Sequence, residues 1–148
     1  MRRRNPKIGV ASVQKWTHRL PPGGTVLDLG CGHGYPITQA LISGGFTVYG
    51  IDASPSMVAA CRTRYPQAVI SCEPAEDSDY FGLLFDGVVA WGLLFLLDKP
   101  KQIQIIERVA SALRHGGRFL FTAPRQACTW TDTLTGRVSV SLGAEAYE

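Results

Sequence analysis

The fold of this chain is decided by the stretch VLDLGCGHG at residues 26–34. An apolar strand pattern runs into three glycines spaced two positions apart, and a helical pattern follows. Glycine permits unusual backbone angles there and lets a ligand approach the main chain closely. Open α/β sheets bind their ligands at this place, the carboxyl end of a central strand. A glycine-rich turn can also be purely structural, so the loop alone leaves both interpretations open.

An acidic residue at the end of the next strand pattern favours the ligand interpretation. This pattern ends at Asp52, 22 positions after Gly30. A carboxylate there can accept hydrogen bonds from the ribose hydroxyls of an adenosine-containing ligand. Asp52 could instead cap the following helix, but Ser54, followed by Pro55, already fits the N-cap position. We therefore interpret Asp52 as a ribose-binding residue.

The glycine spacing restricts the type of nucleotide. A dinucleotide-binding loop has its third glycine three positions after the second, where this chain has Tyr35. The lysine of a Walker phosphate-binding loop is missing from the sequence as well. The loop therefore suits a nucleoside without a pyrophosphate, and a nicotinamide-dependent oxidoreductase is a minor alternative.

Short β-branched runs alternate with longer helical patterns along the chain, which predicts an α/β fold. We expect a doubly wound, mostly parallel sheet with helices on both faces. The predicted strands are residues 25–29, 46–51, 68–72, 84–90 and 117–123, and the predicted helices are residues 9–19, 35–43, 55–64 and 99–115.

The last of these helices has the clearest end signals. Asp98 fits its N-cap, Arg114 and His115 fit its last turn, and Gly116-Gly117 fits its end. Its apolar face is predicted to carry Ile103, Ile106, Val109, Ala110 and Leu113.

The length predicts a single domain spanning residues 1–148. Residues 1–22 form an N-terminal tail and helix, residues 24–123 the core, and residues 124–148 the start of a C-terminal, substrate-side region. That region holds only a weak strand pattern at residues 137–141 and a helix pattern that begins near Ala144. We expect a C-terminally truncated domain that lacks its last strand and helix, or an open sheet edge that a second copy covers in a homo-oligomer. A naturally short protein is the remaining alternative.

Charge and hydropathy argue against two classes of partner. The net charge of +3 is mild, and much of it lies in the arginines at positions 2–4. A nucleic-acid-binding protein normally spreads a basic stripe along one face, so we do not expect a nucleic-acid substrate. The longest uncharged apolar run, residues 87–97, is about half a membrane span, so we expect no membrane association.

The cysteines predict a cytoplasmic protein without a metal site. Cys31, Cys61, Cys72 and Cys128 form no Cys-x-x-Cys pair, and no histidine cluster accompanies them. The apolar sequence surroundings of Cys61 and Cys72 predict packed, reduced thiols.

Five segments together resemble the class I S-adenosylmethionine-dependent methyltransferases. Residues 26–34 resemble their first motif, and residues 50–57 resemble their second. Residues 72–77 resemble the acidic turn near the adenine, residues 85–89 the fourth strand, and residues 113–119 the approach to the fifth. The matches occur in order and cover roughly residues 24–123.

The resemblance implies the Rossmann-like methyltransferase fold, S-adenosylmethionine as cofactor, S-adenosylhomocysteine as its product, and no metal. Asp52 would bind the ribose, the glycine loop the methionine end, and the two following motifs the adenine. One departure is that some relatives have an aspartate where Glu73 or Pro74 stands, which puts side-chain readout of the adenine in doubt. The implied cofactor-binding residues are Asp28, Gly30, Cys31, Gly32, Asp52, Ala53, Met57, Ala75, Glu76 and Ala90.

The resemblance leaves the acceptor open. We expect a small-molecule O, N or C acceptor with Tyr35 and Trp91 as pocket walls, because the segment after Ala90 lacks the Asn/Asp-Pro-Pro-Tyr/Phe motif of base-modifying relatives. A methyltransferase acting on RNA or protein and an inactive cofactor-binding relative are the alternatives. The sequence identifies no catalytic residue, and a general base is needed only if the acceptor must lose a proton. The candidates are His18, His33 and Asp132.

Overall fold

A computed structural model describes residues 6–91, 98–121 and 139–142. The elements in chain order are α1 (Pro6–Thr17), β1 (Thr25–Leu29), α2 (Ile37–Ser43), β2 (Thr47–Asp52), α3 (Pro55–Arg64), β3 (Val69–Cys72), β4 (Phe85–Ala90), α4 (Lys99–Ala112), β5 (Leu113–Phe121) and β6 (Ser139–Leu142). One short 3-10 turn, Tyr80–Gly82, lies between β3 and β4.

All described strands pair in parallel, in the order β3-β2-β1-β4-β5-β6. This confirms the predicted α/β class and parallel sheet. The strand order reverses direction between β1 and β4, and such a switch point opens a crevice outside the carboxyl ends of the strands. The weak strand pattern predicted at residues 137–141 corresponds to β6 (Ser139–Leu142), which pairs with β5. The predicted lack of a last strand and helix and the predicted homo-oligomer stay predictions.

Helices cover both faces of the sheet because the strand residues alternate between two cores. On one face, Val26 and Val89 pack with Trp16 of α1, Leu41 of α2 and Val58 of α3. On the other face, the neighbouring strand residues pack against α4 and the 3-10 turn, and they include Leu27, Leu29, Ile51, Val88, Phe119 and Phe121. The domain is therefore doubly wound, as the sequence pattern predicted.

The predicted end of α4 is wrong. The helix ends at Ala112, and Leu113 is already extended and pairs with Phe85 of β4. Arg114 then lies in β5, where its Nε is 3.6 Å from Oδ1 of Asp86. Gly116, with φ of +80°, therefore lies within the strand and not at the helix end. Leu113 is buried where it pairs with Phe85. This pairing determines where the helix ends, although the two glycines come later.

The predicted apolar face of α4 needs two corrections, one of which is Leu113, since it lies in β5 and not in the helix. Ile103 is 36% exposed, whereas Ile105, which the prediction omitted, is fully buried. Positions 105 and 109 are four residues apart and positions 105 and 112 seven, so they share one helix face with Ile106. Asp98 caps the helix as predicted, since its carboxylate accepts a hydrogen bond from the backbone N–H of Lys101.

Candidate cofactor-binding site

The glycine loop lies at the carboxyl edge of the sheet, directly after β1. The backbone N–H groups of Gly30 and Cys31 both donate to the carbonyl oxygen of Ile51, at 2.7 and 3.1 Å. The loop therefore continues alongside the last residues of β2 and stays close to the neighbouring strand end. The side of Gly32 that a Cβ would occupy has no atom within 4 Å, so a ligand can approach the backbone there.

Asp52 joins the glycine loop to α3 through its two carboxylate oxygens. Oδ2 accepts a hydrogen bond from the N–H of Gly32 at 2.8 Å, and Oδ1 accepts one from the N–H of Ser54 at 2.9 Å. The helix cap itself is Ser54, whose hydroxyl accepts from the N–H of Met57 at 3.4 Å. Each carboxylate oxygen can accept a second hydrogen bond, so Asp52 retains the capacity to bind two hydroxyls.

The third glycine of the loop, Gly34, is required by its neighbours. Its φ of +96° is a conformation that side chains rarely adopt, and a Cβ there would lie 2.6 Å from the ring of Tyr65. Tyr65 is buried, and its hydroxyl donates to Oε1 of Gln39 in α2 at 2.8 Å. Gly34 therefore lets the start of α2 pack against Tyr65, which immediately follows α3.

Asp28 lies buried beneath the loop, with 2% of its surface exposed. Its Oδ2 accepts a hydrogen bond of 2.6 Å from the hydroxyl of Thr38 in α2. Burial raises the pKa of Asp28 to about 7; the Thr38 hydrogen bond opposes this rise and the negative charge of Asp52 adds to it. Asp28 is therefore only partly ionised near neutral pH.

This buried acid predicts a pH-dependent stability. Because the folded state raises the pKa above the model value of 3.8, it binds more protons than the unfolded state between about pH 4 and pH 7. The free energy of unfolding should therefore fall as the pH rises through this window, by on the order of 2 to 4 kcal/mol. Asp28→Asn should remove this decline and be more stable than the wild type at pH 8. Urea unfolding at pH 5 and pH 8 tests this, and an identical pH dependence in both proteins contradicts it.

The predicted adenine-side residues surround the ends of β2 and β3. Ala53 and Met57 are exposed, Met57 by 40%, whereas Ala75 is buried. The N–H of Glu73 donates to the carbonyl of Asp52 at 3.0 Å, which brings the turn after β3 beside the end of β2. Glu76 lies in this turn and is half-buried. Exposed apolar side chains next to an open backbone loop fit a flat aromatic base.

The remaining predicted positions divide between the two ends of the sheet. Ala90 is fully buried at the end of β4, and Trp91 is half-buried against the core beneath α1, α2 and α3. Tyr35 is 45% exposed, and its N–H donates to Nδ1 of His33 at 3.2 Å. His18 instead lines a groove with Pro22 and Phe46, at the opposite end of the sheet. Asp132, the third candidate base, lies outside the described residues.

The structure corrects one cysteine prediction. Cys61 is fully buried as predicted, and its pKa is raised chiefly by burial. Cys72 is exposed, because it ends the edge strand β3. Cys31 is half-buried beside Gly50, and burial raises the pKa of its thiol strongly. Cys31 is therefore a packed, uncharged thiol within the glycine loop.

Three contributors to the site were not identified from the sequence. The hydroxyl of Thr38 donates to the carboxyl group of Asp28, and the ring of Tyr65 leaves no room for a Cβ at Gly34. The side chain of Gln104 in α4 donates to the carbonyl of Glu76. Each acts on a residue at least ten positions away in sequence, so no local motif marks it. The one sequence feature that could have indicated such a contact was Thr38, a polar residue on the buried face of a helix.

Comparison with known proteins agrees with this geometry. The family described as "Methyltransferase domain" matches residues 26–117, from the first residues of β1 into β5. The chain belongs to the class I S-adenosylmethionine-dependent methyltransferases. The match includes the glycine loop, Asp52 and the turn after β3. None of the helices that the structure describes is long and apolar enough to cross a membrane.

The relatives differ in what they act on. An uncharacterised methyltransferase from Synechocystis is 36% identical over 76% of this chain and 56% of its own length. The aklanonic acid methyltransferase DauC from Streptomyces is 32% identical over 69% of this chain and 49% of its own length. A tRNA U34 carboxymethyltransferase from Hahella chejuensis is 33% identical over 72% of this chain and 35% of its own length. The chain thus spans about half or less of the length of these relatives.

A solved structure with bound cofactor shares the fold. Magnesium protoporphyrin IX methyltransferase from Synechocystis, solved with S-adenosylmethionine, is 25% identical and superposes with a TM-score of 0.66. The match covers 80% of this chain and 59% of that chain. The fold shared with that enzyme therefore covers most of this chain.

Proposed function

We propose that this chain binds S-adenosylmethionine at the glycine loop and transfers its methyl group to a small-molecule O, N or C acceptor. The observation that carries the proposal is Asp52, whose carboxylate joins Gly32 to the start of α3 and retains acceptor capacity for the ribose. Asp28 adds a second, partly ionised carboxyl group beneath the loop. S-Adenosylmethionine carries a sulfonium and an ammonium cation, which negative surroundings favour, whereas they disfavour a pyrophosphate.

The residues at this edge have the roles that such a transfer needs. When bound, the cofactor supplies a methyl group that its sulfonium already activates. The protein then has to orient the two partners and exclude water. In our proposal the glycine loop and Asp52 fix the cofactor, Ala53 and Met57 flank the adenine, and Ala90 ends the strand nearest the acceptor. Tyr35 and Trp91 are the proposed walls of the acceptor pocket.

A general base remains optional in this proposal. Among the described candidates, His33 is exposed in the loop itself, while His18 lies at the far end of the sheet. We therefore favour His33 over His18 as the residue that could accept a proton from an acceptor. Its Nδ1 accepts from the N–H of Tyr35, so the neutral imidazole carries its proton on Nε2, and Nδ1 is the nitrogen that would take up a proton after releasing Tyr35.

Methylation of an RNA is the second candidate, because one relative is named as acting on tRNA. The two candidates differ in their expected salt dependence. RNA binding through Lys and Arg contacts to phosphates weakens steeply as salt is added. The mild net charge of +3 supports the small-molecule proposal.

Formation of S-adenosylhomocysteine across an acceptor panel tests the proposed function. The panel contains small phenols, carboxylic acids, amines and enolisable ketones, with bulk tRNA as a separate arm. We expect turnover with at least one small acceptor, insensitive to salt between 50 and about 200 mM. Turnover on tRNA alone, or binding of the cofactor without turnover on any acceptor, contradicts the proposal. His33→Ala measured on the successful acceptor then shows whether a base at that position contributes.

A further inference from the structure

The turn at residues 74–77 has no helix of its own to support it. It follows β3, and the N–H of Asp77 donates to the carbonyl of Pro74 at 3.1 Å. Between this turn and β4 the chain forms only the short 3-10 turn Tyr80–Gly82. A turn in such a connection needs contacts from elsewhere to hold its peptide groups in one orientation.

Those contacts come from α4. Nε2 of Gln104 donates to the carbonyl oxygen of Glu76 at 2.9 Å. One turn earlier on the helix, Nζ of Lys101 lies 3.9 Å from Oε2 of Glu76. Ala75 is buried in the same core cluster as Ile105, the residue that follows Gln104. The exposed side of α4 thus contacts Glu76, and its buried side packs in the same cluster as Ala75.

The contact from Gln104 contributes little to holding the helix in place. The helix is anchored by Ile105, Ile106 and Val109, which are buried, whereas Gln104 is exposed. An exposed hydrogen bond adds modestly to stability, but it can select one direction of a peptide group. The peptide that Gln104 holds is the one between Glu76 and Asp77, whose N–H donates to the carbonyl of Pro74. With this peptide fixed at both its groups, the preceding Ala75–Glu76 peptide is held in one orientation as well.

We propose that Gln104 is a positioning residue that orients the Ala75–Glu76 turn toward the adenine, so that α4 sets the selectivity of the site for the base. This inference rests on the proposed binding of S-adenosylmethionine. Adenine presents an amino donor and a ring-nitrogen acceptor, and only a turn with fixed backbone groups can match both. Hypoxanthine has a carbonyl in place of the amino group and reverses this pattern. A turn that is free to rotate distinguishes the two bases poorly.

Paired calorimetric titrations test the role of Gln104. The ligands are S-adenosylhomocysteine and S-inosylhomocysteine, which differ only in the base. The variants are Gln104→Glu, which keeps the shape but cannot donate at neutral pH, and Gln104→Ala. The matched control is Ser111→Ala, because Ser111 lies exposed on the same helix and its hydroxyl contacts the carbonyl of Glu107 within that helix.

We expect the wild type and Ser111→Ala to prefer the adenine ligand. Both Gln104 variants should lose about three- to tenfold of this preference, the effect of one hydrogen bond, with an unchanged urea midpoint without ligand. An unchanged preference, or a loss that appears only together with a lowered urea midpoint, overturns the inference; so does a wild type that binds both ligands equally. A wild type that binds neither ligand contradicts the proposed function itself.

Discussion

Asp52→Ala should weaken the binding of S-adenosylmethionine by about 1 to 3 kcal/mol, which is between about fivefold and 150-fold in Kd. The substitution removes the proposed acceptor of the ribose hydroxyls and leaves the N–H groups of Gly32 and Ser54 without their carboxylate partner. Isothermal titration calorimetry gives the affinity directly. The loss should exceed that of Asp52→Asn, which keeps one acceptor oxygen.

A matched control tests whether the loss of any aspartate that accepts a backbone hydrogen bond in a turn lowers the affinity. Asp79 also accepts a backbone hydrogen bond, from the N–H of Phe81 at 3.1 Å, but it precedes the amino end of β4. Asp79→Ala should leave the affinity for S-adenosylmethionine unchanged. If Asp52→Ala and Asp79→Ala have the same Kd as the wild type, Asp52 does not bind the ribose.

Gly34→Ala should lower the free energy of unfolding by about 2 to 6 kcal/mol. The φ of +96° disfavours any Cβ, and this Cβ would lie 2.6 Å from Cε2 of Tyr65 and 3.0 Å from Sγ of Cys61. Backbone strain of about 1 to 3 kcal/mol adds to a similar cost of overpacking. Urea unfolding with linear extrapolation measures the difference.

Gly45 provides the control for backbone strain alone. Its φ is +89°, and a Cβ there would meet no atom within 4 Å. Gly45→Ala should therefore cost only about 1 to 2 kcal/mol. Equal losses in the two variants would show that the contact with Tyr65 does not constrain the loop.

The parts of the fold that local chemistry determines were predictable. Strand β1 has the predicted bounds, and α3 begins after the predicted cap at Ser54. Alternating apolar residues and an N-cap hydroxyl act within a few residues, so the sequence displays them directly. The glycine loop and Asp52 were predictable for the same reason, since each follows a strand whose end the pattern marks.

The errors arose where distant residues decide the structure. Gly116-Gly117 looks like a helix end, but the pairing of Leu113 with Phe85 begins the strand four residues before the predicted start. The same holds in the site, where nothing near Gln104 in sequence indicates its bond to Glu76. Such contacts depend on how α4 docks on the sheet, and a single sequence carries no local record of that docking.

The identity of the cofactor is the central claim, and parallel calorimetry tests it most directly. The wild-type chain is titrated with S-adenosylmethionine and, separately, with NAD under the same conditions. The geometry around Asp28, Asp52 and the glycine loop predicts saturable binding of S-adenosylmethionine at one site per chain and no measurable heat with NAD. Binding of NAD without binding of S-adenosylmethionine would contradict the account.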